Sequence, residues 1–277
     1  RGINNMNDKG QKLGLVLEGG GVKGAYQVGA LLAIRELGVE FDGVTGTSIG
    51  AINGALYLEG GYDKLLDVWK QIKTNTVFAL TDEEIESIHN LDMTPAIIKV
   101  VREKRLKTIK MLEASYKQSQ EFFENLVNED DIRASKKDFG IVTFDISEFK
   151  PFEQMMSGIE QGKLVDYIIA SATFPIFPPK EIGGSKYIDG GVYDNMPINL
   201  LARNGYDKML VIRTNVMDKA PKRKIERGDI DLFFIAPRVD LGPAMAFSAR
   251  RVHDFMQSGY DDAKRLMDEG LKEFLLG

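Results

Sequence analysis

The sequence has no cysteine in its 277 residues and only two histidines, His89 and His253. Without cysteine the chain has no disulfide and no thiolate metal site, which favours a reducing compartment. No acidic segment has the spacing of a calcium-binding loop. We therefore expect an activity that uses neither metal nor cofactor and does not depend on calcium.

Long apolar runs are also missing. None reaches the ~18 residues of a membrane span, and the N-terminus lacks a signal-peptide core, so we expect a cytoplasmic protein. The net charge of −5 argues against nucleic acid as a main partner. We interpret residues 1–5, which precede Met6, as a cloning remnant and expect one domain over residues 6–277.

The remaining sequence alternates apolar strands with amphipathic helices. This pattern predicts an α/β fold, a three-layer sandwich with a mainly parallel central sheet. Strands are predicted near residues 13–17, 43–45, 140–145, 185–188, 208–214 and 231–235, and helices near residues 23–37, 50–59, 163–171, 197–204 and 246–269. A helical insertion is predicted over residues 62–135, between the second and third strands, with Trp69 in its core.

A G-x-S-x-G pentad, Gly46-Thr47-Ser48-Ile49-Gly50, lies between the second strand and a helix rich in small residues. In this setting the pattern predicts a nucleophile elbow, a tight turn that exposes the hydroxyl of Ser48. Side chains at Gly46 and Gly50 would collide in so sharp a turn. The N-terminus of the following helix would favour negative charge near Ser48.

A glycine loop follows the first strand and contains Gly19, Gly20, Gly21, Lys23 and Gly24. Glycines let backbone N–H groups approach an anion closely. The loop also satisfies G-x-G-x-x-G, and Asp42 follows at about the spacing of a ribose-binding acid, so a dinucleotide site is an open alternative.

A third motif, Asp189-Gly190-Gly191, follows a short apolar strand, and Pro197 then begins the next predicted helix. Taken in order, the three motifs resemble those of the patatin-like phospholipases. The resemblance covers roughly residues 13–215 and includes the segment Ala170–Pro175. It is not visible over residues 62–135.

The resemblance implies a Ser–Asp dyad, with Ser48 as nucleophile and Asp189 as the base that accepts its proton. It also implies that the N–H groups of Gly19, Gly20 and Gly21 stabilise the oxyanion. Such a site hydrolyses phospholipid, lysophospholipid or other fatty-acyl esters through an acyl-enzyme. An acyltransferase using the same intermediate and a non-catalytic lipid- or nucleotide-binding regulator are the alternatives.

Two further hypotheses concern residues outside the three motifs. Ser48, Asp189 and His253 occur in the chain order of an α/β-hydrolase triad, but His253 lies beside the apolar face of a predicted helix, so we favour the dyad. The insertion contains a basic amphipathic stretch with Lys99, Arg102 and Arg105. This stretch could make peripheral membrane contact, although a solvated charged face is the simpler interpretation.

Overall fold

A computed structural model describes residues 11–72, 114, 117, 118, 120–220, 222–245 and 247–277. Its central feature is a sheet whose strands in the described residues are β1 (Leu13–Leu17), β2 (Gly43–Thr47), β3 (Asp138–Asp145), β4 (Lys150–Met155), β5 (Lys180–Ile182), β6 (Ser185–Asp189), β7 (Lys208–Ile212) and β8 (Asp231–Ile235). Strands β2, β1, β7 and β8 follow β3 in that order, β6 pairs with β3 and with β5, and β4 pairs with β3.

The five strands β3, β2, β1, β7 and β8 run parallel to one another. Strands β4 and β6 pair with β3 in the antiparallel direction, and β5 pairs likewise with β6. The mainly parallel sheet predicted from the sequence is therefore confirmed. Strands β4 and β5 were not predicted, because β4 is half-exposed and contains Pro151, and β5 has only three residues.

The helices with described bounds are α1 (Gly24–Arg35), α2 (Ile49–Gln71), α3 (Glu129–Ala134), α4 (Leu164–Ser171), α5 (Ile198–Ala202), α6 (Ala249–Leu266) and α7 (Lys272–Leu276). Residues 120–124 are also helical. Short 3-10 turns occur at Gly21–Lys23, Met156–Gly158 and Gly190–Val192, and a π-helix at Met267–Leu271 joins α6 to α7. None of these helices combines the length and hydropathy that crossing a bilayer requires.

Helix α2 consists of two helical segments separated by Gly60 (φ −148°, ψ 18°) and Gly61 (φ 65°, ψ −155°), whose dihedral angles are not helical. The helix predicted near residues 50–59 thus ends at this glycine pair, and Leu65 and Trp69 of the second segment are buried in the main core. Indole Nε1 of Trp69 donates to Asn53 Oδ1 at 2.7 Å. Trp69 therefore belongs to the main core and not to a separate core of an insertion.

The sheet is covered on both faces. Along β1, Leu15 and Leu17 point into a large cluster with α1, α2, α4 and α6, and Val16 points into a second cluster with α5. This alternation follows from the two-residue period of a strand. The sandwich of helix, sheet and helix agrees with the expected three-layer architecture.

Helices α1 and α6 cross closely enough for backbone to meet backbone. A Cβ atom on Gly29 would lie 1.8 Å from the Met256 carbonyl oxygen, and one on Gly259 would lie 1.9 Å from the Tyr26 carbonyl oxygen. The Tyr26 hydroxyl donates to Asp262 Oδ2 at 3.0 Å beside this crossing. The contact fixes α1, which begins where the glycine loop ends.

Candidate active site

Ser48 occupies a strained turn between β2 and α2. Its backbone has φ 56° and ψ −127°, a region that residues with a side chain rarely adopt. The two flanking glycines permit the turn: a Cβ on Gly46 would lie 2.3 Å from the Gly50 carbonyl carbon, and one on Gly50 would lie 2.2 Å from the Leu17 carbonyl oxygen. The predicted elbow geometry is present at Ser48.

The carboxyl ends of β2 and β6 meet along a single edge of β3. Gly140 pairs with β2 on one side and with β4 on the other, and Thr143 pairs with β6 and with β4. Since β4 occupies the same side in both cases, β2 and β6 share the opposite side. Strand β2 ends opposite Val142 and β6 ends opposite Thr143, so Ser48 and Asp189 face each other across this junction.

Asp189 is buried, with 6% of its surface exposed. Its carboxylate accepts a hydrogen bond of 2.7 Å from the Gly191 N–H. Burial raises the pKa of Asp189 to about 6, and the nearby Ser48 hydroxyl, the Gly191 N–H and the positive charge of Lys222 only partly oppose this rise. The carboxyl group is thus a stronger base than an exposed aspartate.

Ser171 is a site residue to which sequence reasoning gave no role. Its Oγ accepts the Ser48 N–H at 2.9 Å and donates to the Val142 carbonyl at 2.7 Å. The Asp189 N–H donates to the Thr173 carbonyl at 2.8 Å. The segment Ala170–Pro175, noted for its resemblance to the family, therefore supports both Ser48 and Asp189.

The first residue of the glycine loop does not match its predicted role. The N–H of Gly19 donates to the Asn195 carbonyl at 3.0 Å, so it is not available to an oxyanion in this conformation. The Gly19 carbonyl in turn accepts from Asn195 Nδ2 at 3.0 Å and from Thr214 Oγ1 at 2.6 Å. In the described part of the chain, the N–H groups of Gly20 and Gly21 meet no acceptor.

The other predicted motif residues pack around this centre. Gly21 has φ +57°, and a Cβ there would lie 2.1 Å from the Ala244 carbonyl oxygen. Gly24 contacts α2, and Gly190 lies against the Val142 carbonyl. Lys23 is buried, and its Nζ lies 3.6 Å from Asp240 Oδ1. Burial lowers the pKa of Lys23, although Asp240 opposes this effect.

The dinucleotide alternative is wrong for this fold. Asp42 precedes β2, and its Oδ2 accepts the N–H of Leu13, the first residue of β1, at 2.7 Å. It therefore lies at the end of the sheet opposite the glycine loop, where it cannot contact a ribose bound at that loop. At the loop, the buried Glu18 accepts the Thr214 N–H at 2.8 Å and Asn215 Nδ2 at 2.9 Å.

The triad alternative is also not supported by the geometry. His253 lies on α6 with 79% of its side chain exposed, and its Nδ1 is 3.4 Å from Asp254 Oδ1. It does not line the cleft that contains Ser48 and Asp189. His89 and the basic stretch with Lys99, Arg102 and Arg105 lie outside the described residues.

A cleft of about 780 Å³ opens above the Ser48–Asp189 pair. Its walls are largely apolar near α4 and the N-terminus of α2 and include Ile49, Ile52, Phe123, Ile169, Phe174, Ile176, Phe177 and Phe247. Its polar lining comes mainly from the glycine loop and from the segment after β7. No group of three acidic or histidine side chains in the described residues could hold a metal ion.

Known proteins are similar to this chain in sequence and in fold. Lysophospholipase NTE1 of Saccharomyces cerevisiae is 29% identical over 79% of this chain and 12% of its own length. The uncharacterized NTE family protein Rv1063c of Mycobacterium tuberculosis is 24% identical over 78% of this chain and 52% of its own length. The chain thus spans about an eighth of the yeast relative and about half of the mycobacterial one.

The crystal structure of VipD from Legionella pneumophila superposes with a TM-score of 0.52 and 16% sequence identity, covering 94% of this chain and 67% of VipD. This likeness concerns the fold alone. The family model described as patatin-like phospholipase matches residues 15–202, which include the glycine loop, the elbow and the Asp-Gly-Gly turn. The chain belongs to the patatin-like phospholipases, a family of lipid ester hydrolases.

Proposed function

We propose that this chain hydrolyses fatty-acyl esters of phospholipids or lysophospholipids through Ser48 and Asp189. The observation that carries the proposal is that Ser48, on a strained elbow, lies beside a buried carboxylate whose pKa is raised to about 6, and both line one cleft. A base with a pKa near the working pH accepts a proton more effectively than an ordinary aspartate does. The lysophospholipase name of the yeast relative supports this substrate class.

In the proposed reaction, Ser48 Oγ attacks the ester carbonyl carbon and its proton passes to Asp189. The N–H groups of Gly20 and Gly21 stabilise the tetrahedral oxyanion, and Gly19 holds the loop in place. Loss of one such donor typically slows the reaction about 10²–10³-fold. Asp189 then protonates the leaving alcohol, and the acyl group remains on Ser48.

Water completes the cycle. Asp189 accepts a proton from the water molecule, which attacks the acyl-enzyme and releases the fatty acid, and Ser48 recovers its proton. The apolar walls of the cleft would hold the acyl chain during both steps, because burial of each CH₂ group contributes about 0.8 kcal/mol. An acceptor alcohol in place of water would make the same site an acyltransferase.

The test is hydrolysis of a p-nitrophenyl acyl ester series together with labelling by a fluorophosphonate. We expect Ser48→Ala and Asp189→Asn to lower kcat by about 10⁴-fold or more, and Ser48→Ala to abolish labelling. Ser157→Ala and His253→Ala remove exposed groups and serve as matched controls that retain activity. Stoichiometric labelling without turnover of any ester or lipid would contradict the hydrolase proposal, and a dead His253→Ala variant would contradict the dyad.

A further inference from the structure

The basic segment Lys219–Lys224 follows β7 and has no role in the proposed reaction. Lys219 and Lys222 line the cleft above Ser48, whereas the exposed Lys224 does not. The backbone carbonyl of Lys224 instead accepts a hydrogen bond from Asn199 Nδ2 at 2.9 Å, on α5. The segment thus brings two of its lysines to the site and leaves a third outside it.

Lys219 and Lys222 form no ion pair with the described residues, whereas Lys23 and Glu18 in the same cleft do. Lys23 lies 3.6 Å from Asp240, and Glu18 lies 3.5 Å from Arg213. In the described part of the chain, no carboxylate lies within 4.0 Å of the Nζ atom of Lys219 or Lys222. Each ammonium group therefore lacks a direct ion pair in this part of the chain, although the charge of Lys222 acts on Asp189 and that of Lys219 acts on Asp240.

Both ammonium groups also keep donors for a ligand. Lys219 Nζ donates to Asn215 Oδ1 at 3.3 Å, and Lys222 Nζ donates to the Gly191 carbonyl. An ammonium group has three N–H donors, so at least one on each lysine can reach an anion in the cleft. The contact with Gly191 places Lys222 beside the turn that carries Asp189.

The cleft that holds the two lysines also has apolar lining. Ile169 of α4 and the following Phe174 and Ile176 line it, together with Phe123. A ligand in this cleft can therefore meet apolar side chains, two ammonium groups and Ser48. Such a combined lining suits an amphiphile whose acyl ester lies close to a phosphate group.

We propose that Lys219 and Lys222 form a cationic rim that binds the phosphate of the substrate's head group. Acyl esters that carry a phosphate on the glycerol are then preferred over neutral esters with the same acyl chain. The proposal rests on the hydrolase function proposed above and adds a specificity determinant to it. The rim acts on binding of the substrate and takes no part in bond making or breaking.

The experiment compares kcat/KM for a 1-acylglycerol 3-phosphate with kcat/KM for the monoacylglycerol of the same chain, both as monomers at pH 8.5. The ratio of these two values isolates the head group. We expect the ratio to fall about fivefold in Lys219→Met or Lys222→Met, the upper range for one exposed ion pair. Lys224→Met removes the same charge from the same segment and should leave the ratio unchanged.

Salt and free anions provide a second test of the cationic rim. Raising the salt concentration should lower the ratio in the wild type, because exposed charges are screened. Glycerol 3-phosphate should inhibit hydrolysis of the neutral ester in the wild type and not in the Lys219→Met/Lys222→Met double variant. Inhibition by inorganic phosphate combined with a wild-type ratio near one would assign the rim to a free anion and overturn the head-group proposal.

Failure of this inference is distinguishable from failure of the proposed function. If the wild type hydrolyses neutral esters but its ratio is near one and does not change in the lysine variants, the phosphate-binding rim is contradicted. The proposed hydrolase function is then unaffected. If no ester is hydrolysed, equilibrium binding of the 1-acylglycerol 3-phosphate to wild type and double variant still tests the rim. Equal affinities there would overturn it, and a loss of about tenfold or more would support it.

Discussion

Asn195 holds Gly19 at both of its backbone polar groups. The Asn195 carbonyl accepts the Gly19 N–H at 3.0 Å, and Asn195 Nδ2 donates to the Gly19 carbonyl at 3.0 Å. Gly19 immediately precedes Gly20 and Gly21, whose N–H groups are the proposed oxyanion donors. Asn195, which itself lines the cleft, therefore positions these donors through Gly19.

We predict that Asn195→Ala lowers kcat of ester hydrolysis about 10- to 100-fold, because a displaced donor loses much of its effect on the oxyanion. KM should change less than about threefold, since the acyl-binding walls are untouched. Steady-state kinetics on a p-nitrophenyl ester measure both values. Asn204→Ala, which removes a side-chain contact with the Leu200 carbonyl at 2.8 Å, is the matched control. A change confined to KM would contradict a positioning role.

The raised pKa of Asp189 predicts that activity falls on the acid side of the pH–rate profile. Asp189 must be ionised to accept the proton of Ser48, so kcat/KM should fall as the pH drops through about 6. The measurement is a pH–rate profile on a neutral ester. Asp194 is also buried and its pKa is likewise raised to about 6, so Asp194→Asn is the necessary control. If the fall in activity at acid pH disappears in Asp194→Asn, the titrating group is Asp194 and not Asp189.

Lys222 provides a way to move the acid limb of this profile. Its positive charge lowers the pKa of Asp189, so its removal should raise that pKa. We predict that Lys222→Met shifts the acid limb to higher pH by less than about one unit, and that Lys222→Arg restores it. The same pH–rate profile measures the shift. A shift to lower pH would mean that the charge of Lys222 does not act on Asp189.

The buried carboxyl group should also cost stability. Because its pKa is about 6 in the fold and near 3.8 in the unfolded chain, the folded state binds more protons between these values, and stability falls as the pH rises. The difference corresponds to about 3 kcal/mol above pH 6. We predict that Asp189→Asn raises the free energy of unfolding by about 2 kcal/mol at pH 8. The measurement is the free energy of unfolding in urea at pH 8 and pH 4, and the difference between variant and wild type should be absent at pH 4.

The elbow itself tolerates no added atom at Gly50. The new methyl group of Gly50→Ala would lie 2.2 Å from the backbone oxygen of Leu17, in the middle of the sheet. We predict a loss of about 3 kcal/mol or more in the free energy of unfolding. Gly228→Ala has open space around the new methyl group and should be nearly neutral. Equal thermal stability of the two variants would show that the turn relaxes more easily than its packing implies.

The local sequence motif around Ser48 was predictable from the sequence. A turn such as Gly46-Thr47-Ser48-Ile49-Gly50 has local steric requirements that only certain residues meet, and the fold places Ser48 in that turn. Alternation of apolar segments likewise predicted the parallel strands. The sequence did not predict that the segment after Gly61 packs into the main core, because that depends on burial of Leu65 and Trp69 in the tertiary structure.

Contacts between distant segments were not predictable from one sequence. The Gly19 N–H was expected to face the substrate, but its acceptor comes from Asn195, and the two residues are separated by 176 positions. Ser171, separated from Ser48 by 123 positions, has the same kind of long-range role. Nothing local in a polar side chain indicates which backbone group it will meet after folding.

The meeting of β2 and β6 along β3 makes the chemistry a late event in the life of the chain. Ser48 is synthesised before Asp189, and Ser171, which accepts the Ser48 N–H, also comes later in the chain. Asp189 is in place only when β6 aligns with β3, end to end with β2. Under the proposed dyad, a nascent or truncated chain that lacks β6 therefore carries Ser48 without its proton acceptor and should not hydrolyse esters.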